Sequence, residues 1–193
     1  MNFNMNNQIR ILCTTFILLA PLTACEMVDS VIGDTVKPPC PSVLILANTE
    51  KMTQFRQGNG KDLIDITAES EIEDFVAKCI YDVDTSTGVG KIDIEVQLSV
   101  SVTRGAANAL GYTEIPYFVT ITDKNKNILN KGTFSFPVAF DGNRYRVTLL
   151  DDPVVLSIPI EPPNIGNEFI VYLGFQLTNE QLEYNLIMRH TSG

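Results

Sequence analysis

The chain has 193 residues, with 14 Lys and Arg against 23 Asp and Glu, and is 45% hydrophobic without a tryptophan. That length suits one domain able to bury a sizeable core. The net charge of −9, with no Lys/Arg cluster to offset it, argues against nucleic acid and anionic lipid surfaces as partners.

Residues 1–24 read as a secretory signal. Arg10 and the terminal amine form a weak positive start, and Ile11 to Ala20 form a largely apolar run that Pro21 ends. The run is short of the roughly 20 residues that span a bilayer. Leu22-Thr23-Ala24-Cys25 closes it and resembles the lipobox of bacterial lipoproteins. The resemblance implies cleavage before Cys25, lipid on its sulfur, and export across the inner membrane. Two or more acyl chains, at about 0.8 kcal/mol per buried CH2, hold such a protein firmly on a membrane rather than through it. By analogy within that class, an aspartate after the cysteine retains lipoproteins at the inner membrane. Glu26 stands there instead, which points to the outer membrane.

Residues 25–41 are then the lipidated N-terminus and a tether, stiffened by Lys37-Pro38-Pro39-Cys40-Pro41. Of the four cysteines, Cys13 leaves with the signal and Cys25 takes lipid. Cys40 and Cys79 remain as an even pair in an oxidising compartment, and a disulfide is expected between them. A metal or redox site would call for CxxC spacing or nearby histidines, and neither is present.

A β domain with a C-terminal helix is expected over 42–188, followed by a tail at 189–193. Val43 to Ala47 reads as the first strand. Ile64, Ile66, Ala68, Ser70 and Ile72 alternate with Asp65, Thr67, Glu69, Glu71 and Glu73, and Val76 to Tyr81 forms a further candidate. The firmest pattern runs from Ile92 to Thr103, with Ile92, Ile94, Val96, Leu98, Val100 and Val102 on one side and polar residues on the other. It predicts a half-buried antiparallel strand beside or opposite the one at Ile64. Later candidates are Tyr117 to Thr122, Leu129 to Phe136, Arg144 to Leu149, Val154 to Ile158 and Phe169 to Leu177. Turn chemistry separates many of them, at Gly88-Val89-Gly90, Asp123 to Asn127, Asp141-Gly142-Asn143 and Pro162 to Gly166. Pro116, Pro137 and Pro159 belong at strand edges or bulges, because proline cannot donate to a central ladder. Thr178-Asn179-Glu180-Gln181 reads as a capping box opening a helix, with Leu182 and Leu186 as an apolar pair one turn apart. Seven to nine strands with short connections predict an all-β fold, a single antiparallel β-sandwich, immunoglobulin-like or related, with a short C-terminal helix.

Cys40-Pro41-Ser42-Val43, Gln54 to Leu63, Tyr117-Phe118-Val119 and Gly174 to Asn185 resemble signature stretches of an uncharacterised proteobacterial lipoprotein family. The similarity spans most of 40–185. It implies the domain boundaries and carries no activity.

Candidate chemistry is thin. Arg56-Gln57-Gly58-Asn59-Gly60-Lys61 invites comparison with a phosphate loop, but Phe55 stands where the first glycine belongs and Asp62 where the hydroxyl belongs. Asp82 to Gly88 resembles the start of a calcium loop with its glycine one position late, and Asp93 stands where the closing glutamate belongs. The carboxylates Asp65, Glu69, Glu71, Glu73, Asp93 and Glu95 fall on outward positions, where acids are solvated rather than paired across a cleft. His190, the one histidine, is near the C-terminus, where it or Arg189 favours a helix C-terminal dipole over catalysis. Tyr112, Tyr117, Phe118, Phe134, Phe136, Phe140 and Tyr145 read as core rather than as a ligand groove.

The expectation is a non-catalytic binding or structural module of the cell envelope, with no cofactor and no catalytic or metal residues. It is anchored to the membrane through Cys25 and meets an envelope protein partner. The alternatives are a carrier or sensor of a small hydrophobic ligand, which requires an enclosed apolar pocket, and an envelope hydrolase. A binding module would instead show an exposed apolar patch or a bare strand edge.

Overall fold

The computed structural model describes residues 38–58, 60–162 and 166–191. Cys25 and the signal before it lie outside them. The alternation at Ile92 produces the central strand of a first sheet, β4 (Gly90–Arg104). Its even-numbered residues from Ile92 to Val102 are all buried. On one side it pairs antiparallel along its length with β3 (Ile66–Val83). On the other it is served in succession by β8 (Val154–Ile160), against its first half, and β7 (Arg146–Leu150), against its second. The turn between those two short strands is fastened to β4 by Asp151 N–H donating to the Leu98 carbonyl at 2.9 Å and Gln97 Nε2 donating to the Asp151 carbonyl at 2.9 Å. A further strand, β2 (Lys51–Phe55), extends the sheet beyond β3.

The second sheet has the order β1 (Ser42–Ile45), β9 (Phe169–Phe175), β5 (Tyr112–Asp123), β6 (Ile128–Ala139). The β1–β9 pair is parallel, and every other pairing among the described residues is antiparallel. The inner faces of the two sheets share one core, with Ile94, Val96 and Leu98 from the first meeting Ile115, Tyr117, Val119, Leu173 and Phe175 from the second. The architecture is the expected β-sandwich, closed by one helix, α1 (Asn179–Thr191).

Several expectations are corrected. The alternation at Ile64 starts two residues late: Leu63–Asp65 is a 3-10 turn, so Ile64 is exposed and Asp65 is buried. The candidates at Ile64 and Val76 are one strand, β3, broken by a bulge at Glu73, since Ile72 faces Val100 and Asp74 faces Ser99. One extra residue inverts the side-chain parity. Ile66, Ala68, Ser70 and Ile72 point inward before the bulge, and Phe75, Ala77, Cys79 and Tyr81 pack on the core after it. That inversion aims Cys79 at Cys40, and the two form a disulfide with Cα atoms 6.0 Å apart. Cys40 enters β1 of the second sheet, so the bond joins the two sheets.

The domain begins before Ser42. Pro41 is buried, and the Pro39 carbonyl lies where a Cβ on Gly166 would meet it at 1.8 Å, which only glycine permits. β2 had no counterpart among the sequence expectations. Pro116 lies inside the central strand β5 rather than at an edge. It is tolerated because β9 ends opposite it: β9 reaches only Phe175, the partner of Tyr117, and Gln176 N–H donates to the Pro116 carbonyl. Pro137 and Pro159 do lie on edge strands. The helix continues through Arg189 and His190 to Thr191, where a tail was expected.

Candidate binding edge

A sheet edge exposes backbone donors and acceptors and is a template for another strand unless it is covered. The edges here differ in how they are treated. At β2 the cover is α1. Its start is the anticipated capping box: Gln181 N–H donates to Thr178 Oγ1 at 3.2 Å while Thr178 N–H donates to Gln181 Oε1 at 2.9 Å. The helix face turned to the sheet carries side-chain amides. Gln181 Nε2 donates to the Thr53 carbonyl at 3.3 Å, and Asn185 Nδ2 to the carbonyls of Lys51 at 2.7 Å and Asn48 at 3.0 Å. Four residues along a helix span about 6 Å and two along a strand about 6.6 Å, so an i,i+4 pair of amides matches successive outward carbonyls. Tyr184 between them packs edge-to-face on Phe55 at 5.2 Å. Leu182 and Leu186, the apolar pair one turn apart, are 37% and 39% exposed.

The edge at β1 is four residues long, and β7 and β8 are short, with Pro153 preceding β8 and Pro159 within it. Two longer stretches are bare among the described residues: β6, with 12 residues and no strand on its outer side, and the second half of β3, where β2 reaches only Glu71 and residues 74–83 pair with β4 alone. Strand geometry identifies the free groups. Because the Pro116 carbonyl faces β9, the odd-numbered residues of β5 face β6, where Ile115, Tyr117 and Val119 oppose Phe136, Phe134 and Gly132. The residues between these on β6, namely Lys131, Thr133, Ser135 and Pro137, therefore direct their backbone groups outward. Proline fits there because the position asks nothing of the inner ladder.

Side chains on this strand alternate as well. Phe136 and Val138 are buried, and Phe134, half-buried, stacks on Tyr117 with ring centroids 5.4 Å apart. Lys131, Thr133 and Ser135 are exposed. From Lys124 to Ala139 the chain carries three lysines and no acid, against a net charge of −9 overall. Lys124 pairs with Glu168 at 2.7 Å. Lys131 donates to Gln176 Oε1 at 2.9 Å and stands 4.9 Å from the Phe118 ring centroid. This local reversal of charge was the available sequence signal for the edge.

Open grooves flank α1. One of about 440 Å³ is lined by Phe55, Lys61, Glu180, Tyr184 and Ile187, and the Lys61–Glu180 pair at 3.0 Å crosses it. The other, of about 390 Å³, lies over Lys51, Glu69 and Arg189.

Most of the remaining sequence candidates are engaged by their neighbours. In the loop compared with a phosphate site, Arg56 pairs with buried Asp65 at 2.5 Å and Lys61 with Glu180, so its cations are neutralised within the chain. Asp65 is thus corrected from a solvated acid to a structural one, over which Gly60 closes: a Cβ there would lie 2.2 Å from Asp65 Oδ2. In the loop compared with a calcium site, the Asp84 carboxylate accepts from the Ser86 hydroxyl and from the N–H groups of Ser86 and Thr87. Glu71 pairs with Lys51 at 3.1 Å, Glu73 with Arg146 at 3.2 Å and Glu95 with Lys78 at 3.9 Å. Asp93 is held below the usual carboxylate range first by a hydrogen bond from Lys91 and then by one from the Ser157 hydroxyl. His190 is exposed in the last turn of α1. Of the aromatics, Tyr117, Phe136 and Phe140 are in the core as expected and Phe134 packs against it, whereas Phe118 is buried on the other face of β5 beneath Lys131, and Tyr112 and Tyr145 are 44% and 70% exposed. The Tyr117 hydroxyl donates to Asp151 across the sandwich, and burial, with that carboxylate second, pushes its ionisation far up.

No family model matches the chain, and no curated protein is similar to it. Among solved structures, the variable (V) domain of the Streptococcus agalactiae AgI/II polypeptide BspA is similar over 67% of this chain and 73% of that one, at 10% identity and a TM-score of 0.15.

Proposed function

We propose that this chain is a periplasm-facing lipoprotein, held on the outer membrane through Cys25, whose sandwich is a non-catalytic binding module of the cell envelope. The observation that carries the reading is the 12-residue edge of β6, without a strand partner among the described residues while α1 covers the edge of β2. The chain enters the domain at β1, the opposite edge of the same sheet. Three strand spacings, about 14 Å, therefore separate β6 from the tethered side, which leaves its outer face free for a protein partner.

A photo-crosslinking residue at Thr133, in cells, tests this against the same residue at Val155 on the outer face of β8. The expected result is a discrete adduct with one envelope protein from Thr133 and none from Val155. Equal labelling at both positions overturns the reading. Cys25→Ala is expected to abolish processing and membrane fractionation. A mutant that is cleaved normally and stays with membranes through a high-salt wash overturns the anchor.

A further inference from the structure

We infer that one end of the sandwich, formed by the β2–β3, β4–β5 and β6–β7 loops, rests on a zwitterionic phospholipid bilayer and dips Leu63, Ile64, Leu110 and Tyr145 into it. The inference goes beyond the β6 contact and rests on the lipid anchor at Cys25 for the membrane it meets. These four are the most exposed of the large hydrophobic side chains among the described residues, at 78%, 68%, 89% and 70%. Backbone hydrogen bonds lace their three loops together. Gly105 N–H donates to the Thr67 carbonyl at 3.0 Å and Ala107 N–H to the Ile66 carbonyl at 2.8 Å, which ties the β4–β5 loop to the start of β3. Arg104 N–H donates to the Tyr145 carbonyl at 2.6 Å and Phe140 N–H to the Gly111 carbonyl at 2.8 Å, which ties it to the β6–β7 loop. Large apolar side chains gathered in water at one end of a domain mark a surface that meets a partner.

The chemistry of the loops selects lipid. Residues 105–111 read Gly-Ala-Ala-Asn-Ala-Leu-Gly, without a charge. The polar groups beneath Leu110 are paired within the chain. Asn108, 7% exposed, donates through Nδ2 to the Tyr112 carbonyl at 3.1 Å and accepts from Gly111 N–H at 2.9 Å, while Arg104 donates to the Asn108 carbonyl through Nε at 3.0 Å and Nη2 at 2.8 Å. Backbone groups satisfied in this way cost less to take out of water. In the β2–β3 loop Arg56 is neutralised by Asp65 and Lys61 by Glu180. Exposed Asp62, Asp141 and Arg144 bring charge of both signs to the headgroup level, where a tyrosine ring also settles. That mixture matches zwitterionic rather than anionic headgroups. None of the four apolar side chains lines the grooves beside α1, and a fluid acyl layer asks for no matching shape. The tether is long enough as well. Cys79 is opposite Ile94, ten residues before β4 ends at Arg104, so about 33 Å separates the disulfide from the loops. Fifteen residue steps from Cys25 to Cys40 reach up to about 50 Å. The lipid on Cys25 and the loop tips can therefore occupy one bilayer.

The chain has no tryptophan, so one introduced residue reports its own surroundings. The full chain carrying Leu110→Trp is placed in phosphatidylcholine vesicles brominated on the acyl chains. Its emission is expected to be blue-shifted and quenched, whereas Val155→Trp, on the outer face of β8, is expected to show neither change. Adding Leu63→Ser and Ile64→Ser to Leu110→Trp, at exposed positions that spare the core, is expected to lower the ratio of docked to free tips about tenfold. Unquenched Leu110→Trp on a chain that floats with the vesicles overturns the inference and leaves the anchor standing. A chain that does not float overturns the anchor and the inference together. Equal quenching at Leu110→Trp and Val155→Trp overturns the assignment to this end, and quenching confined to anionic phosphatidylglycerol vesicles overturns the headgroup assignment. No quenching in vesicles, with a discrete protein adduct from a photo-crosslinking residue at Leu110 in cells, makes the tips a protein contact and overturns the inference.

Discussion

Asp84 opens the β3–β4 turn, and its carboxyl is lowered from 3.8 to about 2. The hydroxyl of Ser86 is the chief cause, followed by the N–H groups of Thr87 and Ser86, all of which bond the charged form. A depressed carboxyl contributes stability that is complete above its unfolded value and is lost as pH falls from about 4 to about 2. Carboxyl carbon shifts followed by NMR are expected to titrate with a midpoint near 2, with faster exchange of the Ser86 and Thr87 amides below it and no such response in Asp84→Asn. A midpoint in the ordinary range of about 4 contradicts the loop geometry. On the neighbouring strand, position decides the cost of a change. Val96 is 1% exposed, and Val96→Asp places an unpaired carboxylate in the core, costing several kcal/mol out of a total of about 5 to 15. Glu95 is on the outer face with a 3.9 Å contact to Lys78, and Glu95→Gln is expected to cost less than about 0.5 kcal/mol. Parallel denaturant melts check both, and equal effects would refute the inward and outward assignment.

Between elements, the contact most specific to this fold is that of α1 with β2. It is polar where helix packing is usually apolar, because the helix meets a strand's edge rather than a sheet's face. Removing the amides leaves the outward carbonyls of Lys51 and Thr53 half-covered. The double change Gln181→Ala, Asn185→Ala is therefore expected to lower stability by about 2 kcal/mol. It should also raise concentration-dependent association, since a further bare edge has been opened. Melts with light scattering distinguish this from a helix that merely rests on the surface, for which neither quantity would move. The bulge at Glu73 is the other decision at this scale: one unpaired residue turns a strand of 18 residues from one parity to the other.

Across the molecule, the Cys40–Cys79 bond ties the entry of the second sheet to β3 of the first over a separation of 39 residues. In the chain-entropy treatment a loop of that size contributes about 4 kcal/mol. The double variant Cys40→Ser, Cys79→Ser is expected to fold with a melting temperature lower by roughly 8 to 15 °C. A change under about 2 °C would mean that the core alone aligns the sheets.

Much of this architecture was legible in the chain. The alternation from Ile92 to Val102, the capping box at Thr178 and the pairing of Cys40 with Cys79 all depend on local spacing or on the count and compartment of cysteines, and the structure carries each of them. What spacing could not reveal depends on neighbours distant in sequence. Ile64 continues a perfect alternation yet is exposed, because the chain turns at Asp65 to meet Arg56. Cys79 faces inward only because Glu73 has no partner on β4. Lys51 to Phe55 is too short to announce a strand, and it becomes one by pairing with β3. Whether an edge is covered or bare follows from contacts such as that of Gln181 with Thr53, 128 residues apart. Side-chain period is a property of the strand itself, whereas edge status is a property of its neighbours, so only the folded chain could distinguish β6 from β2.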